Sequence, residues 1–193
     1  MYITEKIEDY LGSDRKFNEY FQNLIEKDCK HYLSLTKNGD MEFFRGMYGK
    51  TDSGKKKVRQ DREAKGMDGS GSYNFNKWLV KNGHTDRSKS VMATSMIERG
   101  RFFSEDVYVI YPIGKFNYTW INKRDVNMRD RWSNDEQDAF DSITIGFTIS
   151  LPSKTSNDIV KKMFKTNKGI RTAYMKGFEI WFDCKEYYYK KVV

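Results

Sequence analysis

The chain has 193 residues, enough for one domain with a substantial core. Aromatic residues make up 16% of it, so we expect a core built from phenylalanine, tyrosine and tryptophan. The formal net charge of +8 favours a polyanionic partner, such as nucleic acid, a nucleotide or an acidic protein, without distinguishing among them.

Cysteine and histidine are too rare for a disulfide framework or a zinc site. Cys29 and Cys184 are compatible with one disulfide, but so few cysteines favour a reducing compartment. His31 and His84 are the only histidines. No apolar run approaches the roughly 20 residues of a membrane helix. The acidic N-terminus lacks the apolar segment of a signal peptide. We therefore expect a soluble, intracellular protein.

The first elements are a helix and a strand. Apolar residues recur at three- and four-residue steps from Ser13 to Leu35, which predicts an amphipathic helix with Ser13 as N-cap. Residues 41–48, MEFFRGMY, predict a strand that carries Arg45 directly before Gly46. Arginine is seldom buried without a partner, so Arg45 is a surface residue, half of an ion pair or an anion clamp.

Residues 49–72 are rich in glycine and charge and predict a long, exposed, mobile loop. The segment GKTDSGK, 49–55, nearly matches a phosphate-binding P-loop. Lys56 stands where that motif needs a hydroxyl, and no apolar helical face follows, so we reject the P-loop. A basic run favours either a solvated loop or contacts to phosphates: Lys55, Lys56, Lys57, Arg59 and Arg62.

The middle of the chain predicts short elements. Residues 74–83 indicate a helix ended by Gly83. Residues 89–95, KSVMATS, indicate a strand followed by a helical turn. Two β-rich runs, 106–114 and 115–121, are joined by a proline–glycine turn and predict a hairpin or strand pair.

The last third alternates helices and strands. Ser133 and Glu136 have the spacing of a capping box and predict a short helix. A strand is expected over 142–152, a basic amphipathic helix over 156–169, and two strands or one long bent strand over 176–193.

This order of elements indicates an α+β fold. We expect an N-terminal helix followed by a two-layer, mostly antiparallel β core with short helices. The chain is interpreted as one domain, 1–193, with a helical segment over 1–38 and a β-rich core over 39–193.

Three separated segments carry candidate chemistry. They are Phe43-Phe44-Arg45-Gly46, the strand KSVMATS over 89–95, which ends in small hydroxyl residues, and GFEIWF over 177–182, which has Glu179 as its only acid. In this order they resemble the arginine–serine–glutamate class of mono-ADP-ribosyltransferases, from about Phe43 to the C-terminus. The combination is also similar to a family of tailed-phage proteins.

The resemblance implies an NAD-binding cleft divided between two small sheets. Arg45 and Gly46 would hold the phosphates or ribose of NAD, Thr94 and Ser95 would shape the nicotinamide pocket, and Glu179 would be the catalytic acid. These residue types suit the chemistry, because a carboxylate stabilises the positive charge that develops on the sugar and arginine binds pyrophosphate in a bidentate manner.

Two positions depart from the class pattern. Ala93 replaces the first serine of its Ser-Thr-Ser strand, and Gly177 stands where the class carries a glutamate or glutamine that directs the acceptor. Activity and acceptor therefore stay open, the acceptor being protein, DNA, RNA or water. Each candidate also has a structural interpretation: Arg45 paired with Glu42 or another acid, Thr94 and Ser95 as helix N-caps, and Glu179 as an edge-strand surface acid.

The resemblance implies a phage-encoded protein that transfers ADP-ribose from NAD to a host macromolecule in the host bacterial cytoplasm. The alternative is a non-enzymatic basic phage protein that binds nucleic acid or a host protein, as a host-takeover or anti-defence factor, or a virion component.

Overall fold

The structure is a computed structural model that describes residues 14–60, 69–122, 133–144 and 153–192. These residues form an α+β fold with seven α-helices and two four-stranded antiparallel sheets. The expected fold class is confirmed.

The helices are short and lie between the strands in the chain. They are α1 (Asp14–Asp28), α2 (Lys30–Leu35), α3 (Gly69–Lys81), α4 (Ile97–Arg101), α5 (Asn134–Thr144), α6 (Lys154–Met163) and α7 (Ile170–Lys176), with a 3-10 turn over Arg87–Lys89.

The strands divide between the two sheets. They are β1 (Phe44–Gly46), β2 (Ser53–Lys57), β3 (Val91–Ala93), β4 (Val107–Pro112), β5 (Asn117–Ile121), β6 (Phe164–Thr166), β7 (Ile180–Asp183) and β8 (Glu186–Lys191). The first sheet has the order β1-β4-β8-β2, and the second has the order β3-β7-β5-β6.

The predicted N-terminal helix is present but interrupted at Cys29, which separates α1 from α2. Phe21, Ile25 and Tyr32 from its apolar face are buried in the core. The proposed N-cap, Ser13, lies outside the described residues.

The predicted hairpin of β4 with β5 is wrong, because the two strands belong to different sheets. β4 pairs with β1 and β8, whereas β5 pairs with β6 and β7. Both strands therefore have both edges occupied, and the turn that contains Gly114 carries the chain from one sheet to the other. The expectation of two C-terminal strands is confirmed, and β7 and β8 cross back from the second sheet to the first.

The prediction of a loop over 49–72 is wrong for Ser53–Lys57, which form β2 and pair with β8. β2 is an edge strand. Lysines on an edge strand deter pairing with another chain, which explains why this strand has no apolar pattern. Gly69–Lys81 form α3. Residues 61–68 lie outside the described residues.

The capping box at the start of α5 is confirmed. Ser133 N donates to Glu136 Oε2 at 3.0 Å, and Glu136 N donates to Ser133 Oγ at 3.3 Å. The prediction of a strand over 142–152 is wrong for residues 142–144, which form the end of α5. Residues 145–152 lie outside the described residues.

The helix expected over 156–169 is shorter and begins earlier. Its N-cap is Ser153, whose hydroxyl accepts from Ser156 N at 3.0 Å. The helix ends at Met163 because the next three residues pair with β5 as strand β6. Gly169 is the N-cap of α7, with φ of +68°.

Two apolar clusters cover the two faces of the second sheet. Trp181 of β7 packs with α3, α5 and α6 on one face. Its neighbours Ile180 and Phe182 point to the other face, into a core shared with the first sheet, α1, α2 and α7. No helix in the described parts of the chain is long and apolar enough to cross a membrane.

Candidate functional site

The two sheets meet at the strand that carries Arg45. Phe44 N donates to Thr94 O at 2.6 Å and Thr94 N donates to Phe44 O at 3.0 Å, which joins β1 to the end of β3. Arg45 reaches across this junction and donates from Nη1 to the carbonyl oxygen of Met92 at 2.8 Å.

Glu179 lies directly before β7 and is almost buried, with 9% of its surface exposed. Its carboxylate Oε1 accepts a hydrogen bond from Trp181 Nε1, two residues along and therefore on the same face of the strand. The same oxygen lies 3.5 Å from Nε of Arg87. Glu179 is therefore not a surface acid.

Arg45, Arg87 and Glu179 form one charged cluster. Burial lowers the pKa of Arg45, the proximity of Tyr187 and Glu179 opposes that shift, and the positive charge of Arg87 adds to it. Arg87 therefore pairs with the Glu179 carboxylate, and Arg45 lies near enough for the charges of both residues to act on it. Within the described part of the chain, Nε of Arg45 and Nε of Arg87 are buried and make no hydrogen bond.

Sequence reasoning did not find Arg87. It lies in the 3-10 turn that Asp86 caps, since the Asp86 carboxylate accepts from Ser88 N at 2.9 Å. The guanidinium lies 5.7 Å from the centre of the Trp181 ring, and only 7% of the side chain is exposed. The cap spacing Asp86-x-Ser88 is the only local signal, and it says nothing of a charged site.

Thr94 and Ser95 lie beside the cluster, but their hydroxyls have partners. Thr94 Oγ1 donates to Gly177 O at 3.3 Å, and Ser95 Oγ donates to Tyr174 O at 2.5 Å. Both acceptors belong to the end of α7, just before Glu179. In this structure the two hydroxyls hold the turn that positions Glu179.

Gly46 is required by packing. A Cβ at this position would lie 2.2 Å from the carbonyl oxygen of Gly100 and 2.9 Å from Ser104 N. The arginine–glycine pair therefore has a structural cause, which is the close approach of β1 to the end of α4.

Gly177, one of the two departures from the class pattern, also has a structural cause. It ends α7 in the left-handed region, with φ of +64°, and a Cβ there would lie 2.3 Å from Met96 Sδ. A glutamate or glutamine at this position would be strained in this fold.

The cysteines and acids give no further site. Cys29 and Cys184 are free and buried, and burial raises the pKa of each thiol to about 12. Over the ranges that the structure describes, no group of three or more metal-ligating side chains is present.

No protein-family model, curated protein or solved structure matches the chain. The interpretation of the cluster therefore depends on its own chemistry. Two guanidinium groups lie near one carboxylate, and this excess of positive charge favours an anionic ligand.

Proposed function

We propose that this protein is a phage-encoded ADP-ribosyltransferase-like enzyme that acts in the host bacterial cytoplasm and transfers ADP-ribose from NAD to a host macromolecule. The observation that carries the proposal is the proximity of Arg45 and Glu179, which are far apart in sequence but close enough for their charges to interact at the junction of the two sheets. The resemblance of the sequence motifs required such proximity.

The arginines supply the anion-binding part of the site. NAD carries a pyrophosphate, and guanidinium groups bind such oxygens with paired donors. Arg45 retains a buried Nε without a hydrogen bond, and Arg87 adds a second positive charge. Arg87 is thus a second clamp in this proposal, in addition to Arg45.

Glu179 supplies the catalytic part. When the bond between nicotinamide and C1′ of the ribose breaks, its electrons leave with nicotinamide and positive charge develops on the sugar. A bond then forms from the acceptor to C1′, and the acceptor loses its proton. Trp181 and Arg87 both contact Oε1 of Glu179, and no described residue makes a hydrogen bond to Oε2, which we assign to the sugar.

Thr94, Ser95 and Gly46 act as positioning residues in this scheme. The two hydroxyls hold the turn before Glu179, and Gly46 lets the strand of Arg45 pack closely. Their direct contact with the nicotinamide or phosphates of NAD stays a prediction.

The test is incubation of host lysate with labelled NAD and the purified protein. Label should appear on protein or nucleic acid, and Glu179→Gln should remove it while NAD binding persists, because the carboxylate acts mainly on the transition state. Arg45→Lys and Arg87→Lys should weaken NAD binding, since lysine loses the paired donors.

The matched control is Glu105→Gln, which removes the same charge from an exposed residue and should leave transfer unchanged. Circular dichroism checks that each variant is folded. Full transfer by a folded Glu179→Gln variant, or no NAD binding by the native protein, would overturn the proposal.

The non-enzymatic alternative would place nucleic acid at Lys55–Lys57. The structure gives that run of lysines a different explanation. The run lies on the edge strand β2, and Lys55 Nζ forms an ion pair with Glu186 at 2.7 Å. Edge protection accounts for these lysines without a ligand.

A further inference from the structure

A second basic site lies at β6, an edge strand of the second sheet, away from Lys55–Lys57. It is an open groove of about 430 Å³ between the end of α3 and the segment from α6 to α7. Four lysines and a histidine line it, and we call it the lysine groove: Lys161, Lys162, Lys165, Lys168 and His84.

The charge of the lysine groove is not neutralised by the residues that the structure describes. None of the four lysines forms an ion pair with any residue that the structure describes, and the groove has no acidic residue in its lining. Lys161 and Lys162 lie in the last turn of α6, where positive charge complements the helix dipole. Lys165 and Lys168 lie beyond the helix, so the dipole does not account for them.

His84 lines the groove and carries a buried ring nitrogen without a hydrogen-bond partner. Its Nδ1 lies 2.8 Å from Thr166 Oγ1, while Nε2 is buried without a hydrogen-bond partner. The ring stacks on Trp78 at 5.8 Å and packs against Phe164, which fixes its orientation. Because Nε2 is buried, His84 shapes the wall of the groove and the lysines supply the contacts to an anion.

We propose that the lysine groove binds the phosphate backbone of a nucleic acid strand. The groove is open, and its cations are lysines, which act as point charges and suit successive phosphates. Phe164, which lines the groove, is buried, so its ring is not available for stacking a base. Binding should therefore depend on the backbone and not on the base sequence. This proposal does not depend on the transferase activity.

The experiment uses the full chain and a fluorescent single-stranded DNA of about 30 nucleotides, titrated by anisotropy from about 50 to 200 mM salt. Lys165→Gln/Lys168→Gln should weaken binding about tenfold or more at the lower salt. It should also reduce the slope of log affinity against log salt by about 1.4, since two phosphate contacts are lost.

The matched control is Lys55→Gln/Lys57→Gln, which removes the same charge from β2 and should leave the slope nearly unchanged. Polyglutamate and inorganic phosphate serve as competitors, and neither should displace the DNA at an equal concentration of charge. The proposal is overturned by absence of DNA binding, by equal losses in both double variants, or by displacement with polyglutamate. Circular dichroism excludes misfolding.

Discussion

Replacing Glu179 by glutamine tests the charged cluster independently of any ligand. Glutamine has nearly the same volume and keeps an oxygen that accepts from Trp181 Nε1. It removes the negative charge that pairs with Arg87 and acts on Arg45. The substitution therefore isolates the electrostatic contribution of the carboxylate to the stability of the fold.

The expected loss follows from the geometry. Arg87 Nε and Glu179 Oε1 are 3.5 Å apart, and both side chains are nearly buried. At an effective dielectric constant of about 20, their attraction amounts to about 5 kcal/mol, part of which the desolvation of the carboxylate offsets. Removing one partner of a buried pair typically costs about 3–5 kcal/mol of unfolding free energy. For a chain of this size, Tm should fall by roughly 6–20 °C.

The measurement is urea and thermal unfolding, followed by circular dichroism, of Glu179→Gln, Arg87→Met and the double variant. The double variant should be more stable than the sum of the two losses predicts, by about 1 kcal/mol or more, since the two side chains interact. Glu105→Gln should change stability by no more than about 0.5 kcal/mol. If Glu179→Gln unfolds at the same temperature as the native protein, the carboxylate does not neutralise the arginines and this reasoning fails.

Three further substitutions test the fold around the two sites. Gly46→Ala should lose about 3 kcal/mol in urea unfolding, because both clashes are with backbone atoms and cannot be relieved by a rotamer change. Ser133→Ala should lose about 1 kcal/mol, since Glu136 N loses its capping acceptor. Burial and the neighbouring lysines lower the pKa of His84 to about 4, so stability should fall as the pH decreases from about 6.5 to 4, and His84→Gln should reduce that dependence.

The first two substitutions each have a matched control. Gly114→Ala introduces the same Cβ at φ of +73° in open space and should lose only about 1–2 kcal/mol, from backbone strain alone. Ser133→Thr retains the hydroxyl and should be close to native. A Gly46→Ala variant as stable as the native chain would contradict the close packing. An unaltered pH profile in His84→Gln would contradict a neutral His84.

Local sequence was sufficient where the cause of the structure is local. The capping box of Ser133 and Glu136 and the end of α3 before Gly83 act within a few residues, and both were predicted. The strands β4 and β5 were predicted because β-branched and aromatic residues dominate both runs.

Pairing between strands could not be predicted from local sequence. β4 and β5 adjoin in sequence and suggested a hairpin, but each has both edges occupied by other strands. The polar segment Ser53–Lys57 is a strand because it pairs with the edge of β8 that β4 does not occupy. Both outcomes depend on contacts between residues that are distant in the chain.

The candidate site shows the same division. In the sequence, Arg45 lies in an apolar strand and Glu179 is the only acid in an apolar segment. Each was singled out because its charge differs from that of its neighbours. Only the tertiary structure brings Arg87 to Glu179, since its burial and its contacts with Glu179 and Trp181 join the 3-10 turn to β7. A single residue carries its own charge in the sequence, but the neighbours that neutralise it or leave it unsatisfied are set by the packing of the whole chain.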